Sequence, residues 1–208
     1  MNKKILIPSV IAIAITIVLG SLFINTNNTS ESKYSSFSYV QTNKDLKNSL
    51  SLHNISMSSP LKLSGSAVGQ YCTFFSNDSL QNSIEYCTST ELLDSDGKYL
   101  GNIHMVGTPD SPQFVIGVIQ VSPTLDNLLE TKIVYQTMIE SLVCTCWDQE
   151  KPGGFGSVSE WIDAANSHHL EAKKITSKSE ITGIAQKGLL LEITTNTEGY
   201  LWKFIIPN

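Results

Sequence analysis

The chain has 208 residues, 41% of them hydrophobic, which suffices for one core of ordinary size but not for a string of domains. It carries 14 basic against 19 acidic residues, for a net charge of −5. That balance offers no basic footprint for nucleic acid, so nucleic acid is not an expected partner.

The first segment is an unbroken apolar run, Ile5 to Ile24, without a charged residue. About 20 helical residues at ~1.5 Å each span roughly 30 Å, the thickness of a bilayer core. Lys3 and Lys4 precede the run and no basic residue follows before Lys33. The positive-inside rule then places residues 1–4 in the cytoplasm, 5–24 across the membrane and the rest outside. The expectation is a single-pass protein of the cell membrane, held by an uncleaved signal-anchor. A cleaved secretory signal peptide is the competing reading, but the run is long for one and no A-x-A-like site follows Gly20. Both readings export the remainder. Asn27, Asn28, Asn54 and Asn77 head Asn-x-Ser/Thr sequons.

Residues 25–64 are rich in Ser, Asn and Thr and poor in large apolar side chains, which reads as a stalk. Within it Val40, Leu46 and Leu50 form a weak helical pattern around Thr42, whose alternative to a free stalk is docking on the domain. The folded domain is expected over 65–208. Tyr71–Phe75 reads as a strand, Ser76–Asn82 as a loop, and Ile84–Leu93 as a second strand. The turn Asp94-Ser95-Asp96-Gly97 supplies the positive φ positions that a hairpin needs. Lys98–Val106 returns as a third strand. Phe114–Val121 is strongly apolar, as in a central strand covered on both faces. The period then changes to three and four. Leu125, Leu128, Leu129, Tyr135, Met138, Ile139 and Leu142 define an amphipathic helix, with Ser122 as cap and Pro123 at its first position. Ser157-Val158-Ser159-Glu160 matches a capping box and opens a second helix with Trp161, Ile162 and Ala165 on its stripe. A short strand is expected near Ile181–Ala185. In the C-terminal hairpin, a turn at Asn196–Gly199 sets Glu192 opposite Lys203, Leu191 opposite Phe204 and Ile193 opposite Trp202.

The order β-β-β-β-α-α-β-β indicates an α+β domain, with about six antiparallel strands and two helices packed on one face.

Four cysteines, Cys72, Cys87, Cys144 and Cys146, in an exported domain suggest a disulfide framework. Three pairings exist. A crossed pairing is preferred because it closes longer loops and avoids a tight ring across Thr145. The alternative use of these thiols is metal handling or redox chemistry. Cys144-x-Cys146 suits a soft ion such as Cu(I) better than the C-x2-C spacing of zinc folds. With a four-residue turn at 94–97, His104 falls opposite Cys87 and a Cys/His cluster for copper or zinc becomes possible; with a two-residue turn Val106 takes that place. His169 continues an apolar stripe and is expected to be a satisfied, partly buried residue. His168 is expected at the helix C-terminus, where positive charge is favoured. The loop Lys151–Gly156 is neither a P-loop nor a dinucleotide fingerprint and reads as a connection, with Trp147 and Phe155 as an aromatic edge for a protein partner.

No catalytic signature is present among the motifs, and an enzyme is not the expected class. The sequence favours a membrane-anchored extracytoplasmic binding or accessory domain without a cofactor, with a copper, zinc or thiol-redox protein using Cys144 and Cys146 as the alternative.

Overall fold

The computed structural model describes residues 37–208. The apolar run 5–24 and the first part of the expected stalk lie outside them. Among the described residues no helix is long and apolar enough to cross a membrane.

The domain is α+β, built on one antiparallel sheet of eight strands rather than about six. The strands are β1 (Ser56–Met57), β2 (Leu61–Ser64), β3 (Tyr86–Leu93), β4 (Tyr99–Gly107), β5 (Pro112–Val121), β6 (Thr176–Ile184), β7 (Lys187–Asn196) and β8 (Gly199–Pro207). Their order across the sheet is β1-β3-β4-β5-β8-β7-β6, with β2 also on β3. β1 pairs with the end of β3, at Leu92 and Leu93, and β2 with its start, from Tyr86 to Ser89. The two short strands are thus one edge, interrupted before Pro60.

Three helices, not two, cover one face: α1 (Tyr39–Ser51), α4 (Leu128–Leu142) and α6 (Val158–Glu171). Short helices α2 (Ser66–Tyr71), α3 (Asp78–Asn82) and α5 (Trp147–Glu150) lie in the connections. The main core joins Leu46, Tyr135, Met138, Trp161, Trp202 and Phe204, all fully buried, with Leu92, Ile103 and Ile119 from the sheet. Each such side chain contributes roughly 1.5–3 kcal/mol. Gly117 of β5 lets α4 approach: a Cβ there would stand 2.9 Å from the Met138 sulfur and 3.0 Å from the Tyr135 ring.

The stalk reading does not hold for residues 37–64. Helix α1 docks on α4 and buries Leu46 and Leu50 completely, while Val40 stays 78% exposed. The polar residues that suggested a stalk take part: Thr42 and Asn43 are buried, and the Asn43 amide donates to Thr90 Oγ1 at 2.9 Å.

The expected strand Tyr71–Phe75 is the end of α2 and an irregular segment. Its apolar residues cover the sheet's second face instead of joining the ladder. Cys72, Val68 and Ile84 are buried there against Cys87, Val106, Ile116 and Ile205, and Phe74 and Phe75 pack on the same cluster. Gln81 holds this flap, accepting from the backbone N–H groups of Phe74 and Phe75 and donating to the Cys72 carbonyl.

Ser122 and Pro123 do not start the long helix. Ser122 Oγ accepts from the Asp126 N–H, Leu125 takes a positive φ of 61°, and α4 starts at Leu128 after Asn127. The second helix keeps its expected cap: the Glu160 N–H donates to Ser157 Oγ at 3.1 Å, and Glu160 Oε2 accepts from the Gly156 N–H at 2.7 Å. β6 is longer than expected. The hairpin register is as expected, with Glu192 opposite Lys203, Leu191 opposite Phe204 and Ile193 opposite Trp202. Glu192 pairs with Lys203 at 2.7 Å and Lys178 at 3.0 Å.

The first and last described residues meet. The Phe37 N–H donates to Asn208 Oδ1 at 3.0 Å, and Lys187 Nζ lies 4.4 Å from the Phe37 ring centre and donates to the Pro207 carbonyl at 2.9 Å.

Candidate functional site

The cysteines pair locally. Cys72 bonds Cys87, and Cys144 bonds Cys146. The crossed pairing fails because the sheet lies between the two sets: Cys72 and Cys87 belong to the second face, whereas Cys144 and Cys146 pack on the helix-side core. The possible Cys87–His104 cluster is also not formed. Cys87 faces Val106, and His104 faces Ser89 on one side and Ile116 on the other. Cys87, His104, Cys144 and Cys146 are therefore not gathered. Among the described residues no group of three or more His, Cys, Asp or Glu side chains is placed to hold a metal ion.

His104 stacks at 4.6 Å on Phe74, beneath the flap, and its Nδ1 is buried without a hydrogen-bond partner. Burial pushes its imidazole down to about 4, so at neutral pH it is an uncharged ring. His169 is buried and satisfied at both nitrogens, by Ser177 Oγ at 2.9 Å and Thr195 Oγ1 at 2.8 Å. Burial lowers its pKa, and so does the charge of His168. His168 falls in the last turn of α6, 3.2 Å from Lys174 Nζ.

Trp147 is not an exposed edge. It is 5% exposed, stacks on Trp161 at 5.8 Å and donates its indole N–H to the Phe155 carbonyl at 3.2 Å. The loop 151–156 is a tight connection against β6: Gly153 has φ 65°, and a Cβ on it would stand 2.9 Å from Ile181.

The structure brings together a different set of residues. Between the start of α1, the β2–β3 edge and the β4–β5 turn is a cleft of about 560 Å³. Tyr39 and Tyr86 form one wall, edge to face with ring centres 4.8 Å apart. The Tyr39 hydroxyl donates to the Thr108 carbonyl at 2.7 Å, and burial, with the neighbouring Tyr86, holds it well above the usual phenol range, so it stays neutral. Lys62 and Asp110 bring charge to the lining, and both are exposed. Asn43 and Thr88 are the buried polar residues of the lining.

Thr88 distinguishes this cleft. Its side chain is 2% exposed and its hydroxyl has no hydrogen-bond partner. Two residues along the same face of β3, the Thr90 hydroxyl accepts from Asn43. An unpaired buried hydroxyl costs about 1–3 kcal/mol, so it is a feature that a fold keeps only with a reason. In the sequence, Thr88 and Thr90 are two polar residues on the buried face of a strand, the one local signal of this site. Nothing in the sequence associates Tyr39 with Tyr86, 47 positions apart.

No family model matches the chain, and no curated protein or solved structure is significantly similar to it.

Proposed function

We propose that the protein is a membrane-anchored, extracytoplasmic binding module whose ligand site is the Tyr39–Tyr86–Thr88 cleft. The observation that carries the reading is the unpaired Thr88 hydroxyl in the lining of an aromatic-walled cleft. A ligand that offers Thr88 a partner would recover the free energy the free protein forgoes. The cleft volume lies within the range of roughly 300–1,000 Å³ usual for small-molecule sites. The ligand then has an apolar or ring-shaped body that rests on Tyr39 and Tyr86, and a hydrogen-bonding group that meets the Thr88 hydroxyl once the side chains sealing it shift aside.

The anchor part of the proposal rests on the run 5–24 and the charge asymmetry around it.

Two measurements test this. A topology reporter fused after Asn208 should be active outside the cytoplasm; a cytoplasmic reporter refutes the anchor orientation. NMR of Thr-methyl-labelled protein, titrated with a small set of phenols and pyranosides, should move the Thr88 methyl first. Shifts elsewhere with Thr88 unmoved would refute the cleft as the site.

A further inference from the structure

The two disulfides occupy opposite settings. Cys72 and Cys87 are both fully buried under the flap. Cys144 and Cys146 are partly exposed just beyond the C-terminal end of α4. Cys144 lines a small opening of about 100 Å³ together with Glu140, Thr145, Asp148 and Ser157.

The backbone around this second pair is held independently of the sulfur bond. The Val143 N–H donates to the Ile139 carbonyl at 2.8 Å and the Cys144 N–H to the same carbonyl at 3.1 Å. On the other side, the Gln149 and Glu150 N–H groups both donate to the Cys146 carbonyl at 3.0 Å. Trp147, next to Cys146, is locked into the core on Trp161. Reduction would leave the two thiols side by side, with Cα atoms 5.2 Å apart in the disulfide form. A crosslink spanning one intervening residue also removes little freedom from the unfolded chain, so the fold draws little from it. The accessible bond is thus the one the fold can open and close.

We propose that Cys144–Cys146 is a reversible thiol–disulfide exchange site, and that its substrate is a dithiol on a polypeptide with basic residues beside its cysteines. The thiolate of the first substrate cysteine attacks Cys144 Sγ. A substrate–Cys144 bond forms, the Cys144–Cys146 bond breaks, and Cys146 leaves as a thiolate that takes up a proton. The second substrate thiolate then attacks its own neighbour in the mixed disulfide. The substrate disulfide forms, and Cys144 leaves as thiolate and is protonated. Two electrons pass from substrate to protein and no atom is left over. The reverse exchange with a low-molecular-weight disulfide restores the starting bond. Glu140 and Asp148 beside the opening, and the terminal carbonyls of α4, make it a negative environment that repels anionic thiols and favours cationic ones. The activity is independent of the aromatic cleft.

The test uses the full chain in detergent micelles and three small thiols: cysteamine (cationic), 2-mercaptoethanol (neutral) and 2-mercaptoethanesulfonate (anionic). Newly released thiols are alkylated and mapped by mass spectrometry, and each rate is divided by that for the same chain unfolded in urea. The expected result is alkylation of Cys144 and Cys146 while Cys72–Cys87 stays closed. The normalised rates should fall from cation to anion by about fivefold, and E140Q/D148N should flatten that order. Adding cystamine should re-form the pair. Opening of both disulfides together, opening only in urea, failure to re-close, or no dependence on thiol charge would overturn the proposal.

Discussion

Thr88→Val exchanges the unpaired hydroxyl of the cleft for a methyl group of similar size. In the folded protein the hydroxyl is sealed from water without a partner, at a cost of about 1–3 kcal/mol. The added methyl buries apolar surface worth ~0.8 kcal/mol. The variant should therefore be more stable than the natural chain by about 2 kcal/mol. For a domain of this size, that raises Tm by about 4–8 °C. Urea denaturation should show a higher midpoint with an unchanged slope, since the surface exposed on unfolding is the same. Thr90→Val is the internal control. It leaves the buried Asn43 amide without its acceptor, and it should lower stability by about 1–2 kcal/mol. Opposite signs two residues apart on one strand face are hard to obtain otherwise. If Thr88→Val is destabilising, the hydroxyl has a partner in solution and the argument for the cleft falls.

Leu46→Ala should cost about 3–4 kcal/mol because Leu46 is fully buried, whereas Val40→Ala should stay within ~0.5 kcal/mol; equal small effects in chemical denaturation would show that residues 39–51 are not docked. Replacing both Cys72 and Cys87 by Ala should cost about 3 kcal/mol, from a closure with sequence separation 15, read without reductant as a lower urea midpoint than that of the Cys144→Ala/Cys146→Ala variant; equal midpoints would refute it. Stability should also depend on His104 in acid. Its folded pKa of about 4 lies below the ordinary value of 6.5, so its contribution is complete above pH 6.5 and is lost as pH falls toward 4. The loss amounts to about 3 kcal/mol, and His104→Leu should flatten the urea midpoint through that window relative to the natural chain. An unchanged slope would refute the burial argument. Glu192 acts at lower pH: burial raises its carboxyl, but the hydrogen bonds and charges of Lys203 and Lys178 outweigh this and hold it down. Lys203→Met should therefore lower stability at neutral pH and flatten its fall below the ordinary carboxylate range, as judged by the same titration; an unchanged acid slope would refute the pairing.

The sheet centre and the C-terminal hairpin were legible because their signals are local. The Asn–Gly turn and period-two apolarity fix the hairpin register within a few residues, and the Glu192–Lys203 pair confirms it, whereas the Asp-Gly turn leaves two registers open, between which the structure takes Cys87 opposite Val106. α1 is legible only as the weak pattern of Val40, Leu46 and Leu50, because its attachment depends on contacts distant in sequence: Asn43 with Thr90, Leu46 and Leu50 with the α4 layer, Phe37 with Asn208. A polar composition predicts a stalk when those partners are unknown. Tyr71–Phe75 has strand-like apolarity because it must cover a sheet face, and coverage and strand formation select the same residue types. The cysteine pairing differs from the expected crossed one for a related reason. Loop-closure entropy favours long loops, but the sheet separates Cys72 and Cys87 from Cys144 and Cys146. The cleft was invisible because its aromatic walls come from α1 and β3, which only the docking of α1 brings together.

The clasp between Phe37, Asn208 and Lys187 bears on how the domain would carry load. A pull that arrives through residue 36 reaches the folded part where the chain's far end is already fastened. Asn208 continues from β8, a middle strand hydrogen-bonded on both sides, to β5 and β7. Tension shared through the clasp is therefore spread over two ladders at once, whose bonds must fail together. Without it, the same tension would fall on α1 and the short β1–β2 edge, which can peel away one bond at a time.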